Sequence, residues 1–298
     1  MGRRLFLLAL VCACNAHLGG QDNHATGADG ATGSGTDGDS GMMTDAAVAL
    51  GPWGTPMPVT GAASAGTSED DPTLSSDGLE LYYAVATSNG KNLYEMTRAT
   101  RTDAFANATV LGAFNGGNAN EGPRLAYDDL TIYWGEDGEI YSATRATITS
   151  PWTGVAKVPG VDTGAYEKWF AVCGDGSHFV VSRDNGANGQ DLYEGTLGGG
   201  AGTRIDTVSS SSSEISTFLA KDCLTLYFAS NRIAPNTQIF MSTRNAIGSA
   251  WSTPVQAPAP FATGTDNEDA GYTPDNRLFV FATTRAGNGT KDVYLSTR

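Results

Sequence analysis

An internal repeat limits what this chain can fold into more than any other feature. The stretch Glu69-Asp70-Asp71-Pro72-Thr73-Leu74-Ser75-Ser76-Asp77-Gly78-Leu79-Glu80-Leu81-Tyr82-Tyr83 recurs in degenerate form, with later copies opening at Glu121, Glu167, Glu214 and Glu268. Each copy reads as a strand, an Asp-led turn and a second strand. The turn aspartates Asp77, Asp128, Asp175, Asp222 and Asp275 stand 47 to 53 residues apart, near the lengths of propeller blades. The pairs Asp77-Gly78, Asp128-Asp129, Asp175-Gly176, Asp222-Cys223 and Asp275-Asn276 suit tight hairpins, where a residue adopts positive φ or bonds its own backbone.

Two further motifs complete the unit. Apolar–polar alternation around Leu93-Tyr94, Ile140-Tyr141, Leu192-Tyr193, Ile239-Phe240 and Val293-Tyr294 marks a half-buried third strand. An aromatic-led segment follows at Phe105 to Val110, Trp152 to Val158 and Trp251 to Val255, weakly at Thr203 to Val208, and also stands at the start, Trp53 to Val59. Pro56 and Pro254 place it at a sheet edge, where a missing N–H costs nothing. The folded part thus begins on an outer strand and ends on a third strand. Ring closure resolves the mismatch and removes free sheet edges. The expectation is an all-β, five-bladed β-propeller of four-stranded blades, one domain over residues 48–298, closed by the N-terminal outer strand.

The pattern Glu-x-x-Pro-x-Leu-Ser-x-Asp-Gly-x-x-Leu-Tyr-Tyr, followed by a loop and Asn/Asp-Leu-Tyr, resembles the WD40-like repeats of TolB-like periplasmic propellers. The resemblance spans residues 69 to 298, although only Pro72 and Pro123 keep the proline. It implies a monomeric, non-catalytic propeller whose face binds a protein or glycan of the bacterial envelope.

Residues 1–14 read as a targeting segment. Arg3 and Arg4 precede the apolar run Leu5 to Val11, which is too short to span a bilayer. Val11-Cys12-Ala13-Cys14 looks like a lipobox, with Cys14 as the lipidated residue; an ordinary secretion signal is the other reading. Residues 15–47 are Gly, Asp, Ala, Thr and Ser with almost no large apolar side chain, a composition that cannot offset its ordering entropy. They read as a tether, and Asp29, Asp37 and Asp39 lack EF-hand spacing. The protein is therefore expected to be exported, at the periplasm or cell surface, touching the membrane only through its lipid. A net charge of −14 argues against nucleic acid as a partner.

Candidate site residues follow from the repeat. Glu69, Glu121, Glu167, Glu214 and Glu268 precede the innermost strands. They would either line the central channel as oxygen ligands for Ca2+, joined by Asp70, Asn120 and Asp269, or latch each blade to its neighbours. Arg98, Arg145, Arg244 and Arg298 end the third strands, and Arg183, Arg232 and Arg285 follow the second strands; both sets read as structural donors. Cys173 and Cys223 sit at inner turns of neighbouring blades, and an exported protein permits a disulfide between them. His178 is the only histidine of the domain, which leaves no histidine-based zinc site and no Ser-His-Asp set.

A carbohydrate-active hydrolase using channel carboxylates is the alternative function, and a cation-stabilised structural module a third. Hydrolysis needs two carboxylates in different environments, whereas the repeat places these in like ones. Trp134 and Trp169 stand outside the repetition and would offer either a stacking surface or core packing.

Overall fold

The computed structural model describes residues 50–298, apart from 63–65, 116–118, 187–188, 234 and 288. The expected leader, tether and Cys14 lie outside the described residues.

Residues 49–298 form one compact unit of five four-stranded antiparallel sheets. The chain opens on β1 (Met57–Pro58). Blade 1 follows as β2 (Glu69–Leu74), β3 (Glu80–Thr87), β4 (Gly90–Thr97) and β5 (Ala106–Val110). Blade 2 is β6 (Asn120–Leu125), β7 (Thr131–Glu136), β8 (Glu139–Thr144) and β9 (Thr153–Lys157). Blade 3 is β10 (Glu167–Val172), β11 (His178–Asp184), β12 (Gln190–Thr196) and β13 (Thr203–Arg204). Blade 4 is β14 (Glu214–Leu219), β15 (Thr225–Ser230), β16 (Gln238–Thr243) and β17 (Val255–Gln256). Blade 5 is β18 (Asn267–Tyr272), β19 (Leu278–Thr283) and β20 (Asp292–Thr297), and its fourth strand is β1. Met57 pairs with Leu295 and Pro58 with Tyr294, so the ring closes as the strand order requires.

All five hairpin turns use both devices read from the sequence. Gly78, Asp129, Gly176, Cys223 and Asn276 each adopt φ between 56° and 72°. The preceding aspartate accepts the N–H two residues on, from Leu79, Leu130, Ser177, Leu224 and Arg277, at 2.7 to 3.2 Å. Four of the turns carry an arginine clamp. Arg98, Arg145, Arg244 and Arg298 donate Nε to the carbonyls of Gly78, Asp129, Cys223 and Asn276. Each guanidinium also lies over the aromatic ring that leads an outer strand: Phe105, Trp152, Trp251 and Trp53, at 4.1 to 4.5 Å. One residue type therefore ties turn, third strand and fourth strand together. Blade 3 has Leu197 in its place.

The core is divided among the seams. Both faces of each sheet are covered by neighbouring blades, so second strands such as Phe279-Val280-Phe281-Ala282 are buried throughout. Five apolar clusters result, and each joins two adjacent blades, as Tyr82, Ala84 and Leu93 join Ile132, Trp134 and Ala143. A disulfide between Cys173 and Cys223 spans the blade 3–4 seam, with a Cα separation of 5.1 Å. Beside it the Gly174 N–H donates to the Lys221 carbonyl at 3.0 Å.

Candidate functional site at the mouth of the central channel

The innermost strands β2, β6, β10, β14 and β18 share one irregularity. Pairing slips at the third residue of each, which adopts positive φ: Asp71, Gly122, Trp169, Ser216 and Asp269. A bulge of this kind re-aims a side chain. It also fixes the true register of the repeat. The first positions are Glu69, Asn120, Glu167, Glu214 and Asn267; the second are Asp70, Glu121, Lys168, Ile215 and Glu268. The five glutamates singled out in the sequence therefore stand at two different levels.

Glu69, Glu167 and Glu214, at the first position, are fully buried and tied to their own blades. Thr67, Thr163 and Ser210 hydroxyls donate to them. Arg183 donates Nε to Glu167 at 2.7 Å, and Arg232 donates Nη2 to Glu214 at 2.9 Å. The same two arginines reach the carbonyls of Val161 and Val208 in the incoming connections. Arg285 repeats the arrangement with Asn267 and Pro260. These contacts are latches between strand and connector.

Glu121 and Glu268, at the second position, lie with Asp70, Asp71 and Asp269 around the channel mouth under three lysines. Lys91 Nζ stands 2.8 Å from Asp70 Oδ2, 3.2 Å from Asp71 Oδ2 and 3.5 Å from Glu121 Oε2. Lys168 pairs with Glu121 at 2.6 Å, and Lys291 pairs with Glu268. Below them two side chains bridge the channel. Trp169 Nε1 donates to Asp71 Oδ1 at 2.6 Å. Arg124 donates to the carbonyls of Pro72 in blade 1 and Thr217 in blade 4, at 2.7 and 3.0 Å. Gly122 makes room for this bridge: a Cβ there would stand 2.8 Å from Trp169 Cδ1.

Five carboxyl groups thus face four cations, and the three aspartates among them are displaced from the ordinary range in different directions. Burial would raise Asp71, but Lys91, the bonds to Asp269 and Trp169, and Arg124 outweigh it and hold Asp71 well below the usual range. Burial, then the charges of Asp71 and Asp70, push Asp269 well above it. Burial, with Asp71 beside it, pushes Asp70 up to about 7 against the pull of Lys91 and Lys291. Asp71 and Asp269 occupy equivalent positions and are joined by a bond from the Asp71 N–H to Asp269 Oδ2 at 3.1 Å. The repeat places like residues in like positions, yet the surroundings of Asp71 and Asp269, at the third position of their strands, differ.

The remaining sequence candidates are dispersed. Trp134 is buried against Phe114 and Tyr141 at the blade 1–2 seam, whereas the buried Trp169 is turned to Asp71 across the channel, so the two tryptophans do not form an open stacking surface. His178 caps the blade 3 turn beside Asp175. Among the described residues, the single cluster with metal-ligand spacing is Cys173, Asp175 and Cys223, whose two sulfurs are bonded to each other. The lysines escaped the sequence reading. Lys91 and Lys291 do occupy equivalent places, each two residues before the apolar residue of its third strand, Leu93 and Val293.

No protein family matches the chain, and no curated protein sequence does. Solved structures do. The α-L-arabinofuranosidase of Podospora anserina is similar with a TM-score of 0.55 at 13% identity, covering 81% of this chain and 94% of that one. The endo-arabinase of Bacteroides thetaiotaomicron gives 0.54 at 10% identity, covering 81% and 96%. TolB from Acinetobacter baumannii gives 0.48 at 15% identity; 80% of this chain covers 56% of that one. At these identities the likeness is one of fold.

Proposed function

We propose that this protein is a non-catalytic binding scaffold of the bacterial envelope. It is exported, anchored by lipid at Cys14, and presents its propeller to a protein or glycan. One observation carries the reading: Asp70, Asp71, Glu121 and Glu268 at the channel mouth, which a hydrolase would need free for substrate, are buried and ion-paired beneath Lys91, Lys168 and Lys291. The Trp169 and Arg124 bridges make the ring a rigid frame and leave recognition to loops and seams. The disulfide fits an oxidising compartment.

A second reading has its own support. Lys91 and the hydrogen bonds to Asp71 hold its carboxyl below the usual carboxylate range while burial pushes the adjoining Asp269 above it, which is the direction of separation that a glycosidase base and acid require. One assay separates the two. The full chain is incubated with arabinan, arabinoxylan and cello-oligosaccharides, and new reducing ends are measured. The scaffold reading expects none. Turnover abolished by Asp71→Asn would overturn it in favour of the hydrolase. In cells, photo-cross-linking from surface positions should give a discrete adduct in the membrane fraction, and Cys14→Ala should release the protein from that fraction.

A further inference from the structure

Three seams carry matching pockets, and one departs from the pattern. The pocket at the blade 5–1 seam encloses about 210 Å³ beside Leu295 and Arg98. That at the blade 3–4 seam encloses about 250 Å³ beside Glu194 and Arg244. The blade 1–2 seam opens to about 660 Å³ beside Glu80, Glu95 and Arg145. Leu295, Glu194 and Glu95 are equivalent, each facing the third residue of the second strand: Val280, Val180 and Tyr82. The three arginines are the clamps described above. The repeat therefore supplies its own control.

At the blade 3–4 seam the acid is satisfied. Arg244 Nη1 and the Trp251 indole N–H both donate to Glu194 Oε2, at 2.8 and 3.0 Å. At the blade 1–2 seam the clamp is drawn elsewhere. Arg145 forms a two-pronged pair with Glu80, Nη1 to Oε1 at 3.0 Å and Nη2 to Oε2 at 2.6 Å. Blade 3 has His178 where blade 1 has Glu80. Glu95 is left with the Tyr82 hydroxyl, which donates to Oε1 at 3.0 Å. Among the described residues no cation stands within ion-pair distance of it. Burial raises its pKa and the neighbouring Glu80 charge adds to the rise, against the pull of the Tyr82 hydrogen bond and the more distant Arg145 charge.

The walls define what this surplus carboxylate would meet. Val110 and Ile148 face the groove and are 46% and 54% exposed, with Leu111 and Pro151 beside them. The aromatic rings are committed to packing. Trp152 carries the Arg145 guanidinium at 4.5 Å and meets Phe114 and Tyr82 edge to face. A sugar ring would want an open aromatic face, whereas an acid between apolar shoulders fits a cation on an aliphatic stem.

We propose that the blade 1–2 seam is a binding groove for a basic segment of a partner protein. The ammonium or guanidinium of a lysine or arginine pairs with Glu95, and its stem lies between Val110 and Ile148. The net charge of −14 favours encounter with such a segment. This rests on the scaffold reading and specifies the chemistry of its partner.

The test uses the full chain and a dye-labelled peptide, Gly-Val-Lys-Val-Gly, followed by fluorescence anisotropy at low ionic strength. Its Glu-for-Lys counterpart and a neutral arabino-oligosaccharide serve as competitors. The lysine peptide should bind. Glu95→Gln, which keeps an acceptor for Tyr82, should weaken binding about tenfold or more, the loss expected for removing one side of a charge pair. Ile148→Ala should weaken it several-fold, while Ile247→Ala, the equivalent shoulder at the blade 3–4 seam, should leave it unchanged. Absence of binding, binding indifferent to Glu95→Gln, or equal binding of the Glu counterpart would overturn the proposal. Competition by the oligosaccharide that disappears in Ile148→Ala would give the groove to a glycan instead. If the peptide fails while the envelope adduct persists in Glu95→Gln, the groove assignment falls and the scaffold reading stands.

Discussion

The Trp169 indole N–H donates to Asp71 Oδ1 at 2.6 Å and so joins blade 3 to blade 1 across the channel. Trp169→Phe keeps an aromatic side chain but removes the donor together with the five-membered part of the indole, leaving a buried acceptor short of one bond. The expected cost is about 1–3 kcal/mol, the penalty for an unsatisfied buried group. Urea denaturation of the two proteins measures it. A midpoint identical to that of the parent would show that the bridge contributes nothing.

Gly122 lies under the same bridge at φ 61°, with Trp169 where its Cβ would go. Gly122→Ala combines left-handed strain with a clash. It should destabilise by about 1–3 kcal/mol, and Trp169→Phe added to it should cost less than the two changes separately, because both act on one contact.

The channel mouth also sets a pH dependence. Asp70 has its folded pKa raised to about 7, so the folded state holds that proton more tightly than the unfolded chain. The stability this contributes is complete below about pH 4 and is lost as pH rises towards about 7, at up to about 1.4 kcal/mol per pH unit. Asp70→Asn should flatten that decline. Denaturation midpoints collected across the interval would show it, and an unchanged slope would remove Asp70 as the source.

The disulfide closes a loop with a sequence separation of 50 residues between Cys173 and Cys223. Replacing both by serine should lower stability by about 2–4 kcal/mol. The parent protein under reducing conditions should approach the variant's denaturation midpoint. If reduction left the parent unchanged, the bond would not be a stabilising staple.

Much of this was legible before any coordinates. The blade count, strand order and closure follow from the Asp turns, the Tyr-bearing third strands and the misplaced Trp53 segment. The register of the channel did not follow. Glu121 and Glu268 looked equivalent to Glu69 by residue type, yet they stand one position later. Proline carried the correct alignment, since Pro72 and Pro123 are equivalent and put Asn120 opposite Glu69. A bulge is invisible to alternation patterns, so the residues it re-aims, Asp71, Trp169 and Asp269, could not be grouped from sequence. Lys168 and Lys91 come from different blades and meet Glu121 only where blades 1, 2 and 3 pack side by side. The groove at the blade 1–2 seam is legible only by comparing Glu95 with Glu194, which requires knowing that their arginines choose different partners.

The closing strand has a mechanical meaning as well. Tension applied through the chain before residue 50 reaches the Trp53–Val59 segment first. That segment is held to β20 by the Gly54 N–H to the Thr297 carbonyl, the Val59 N–H to the Val293 carbonyl, the Ser296 hydroxyl to the Gly54 carbonyl, and the Arg298 guanidinium over Trp53. Every other outer strand is covalently continuous with its own blade. Under load the ring should therefore part at this seam and unpeel blade 5 before the rest. Pulling single molecules from the N-terminus should register a short first release of length, and Trp53→Ala should lower the force at which it occurs. The strand that completes the propeller would act as its fuse.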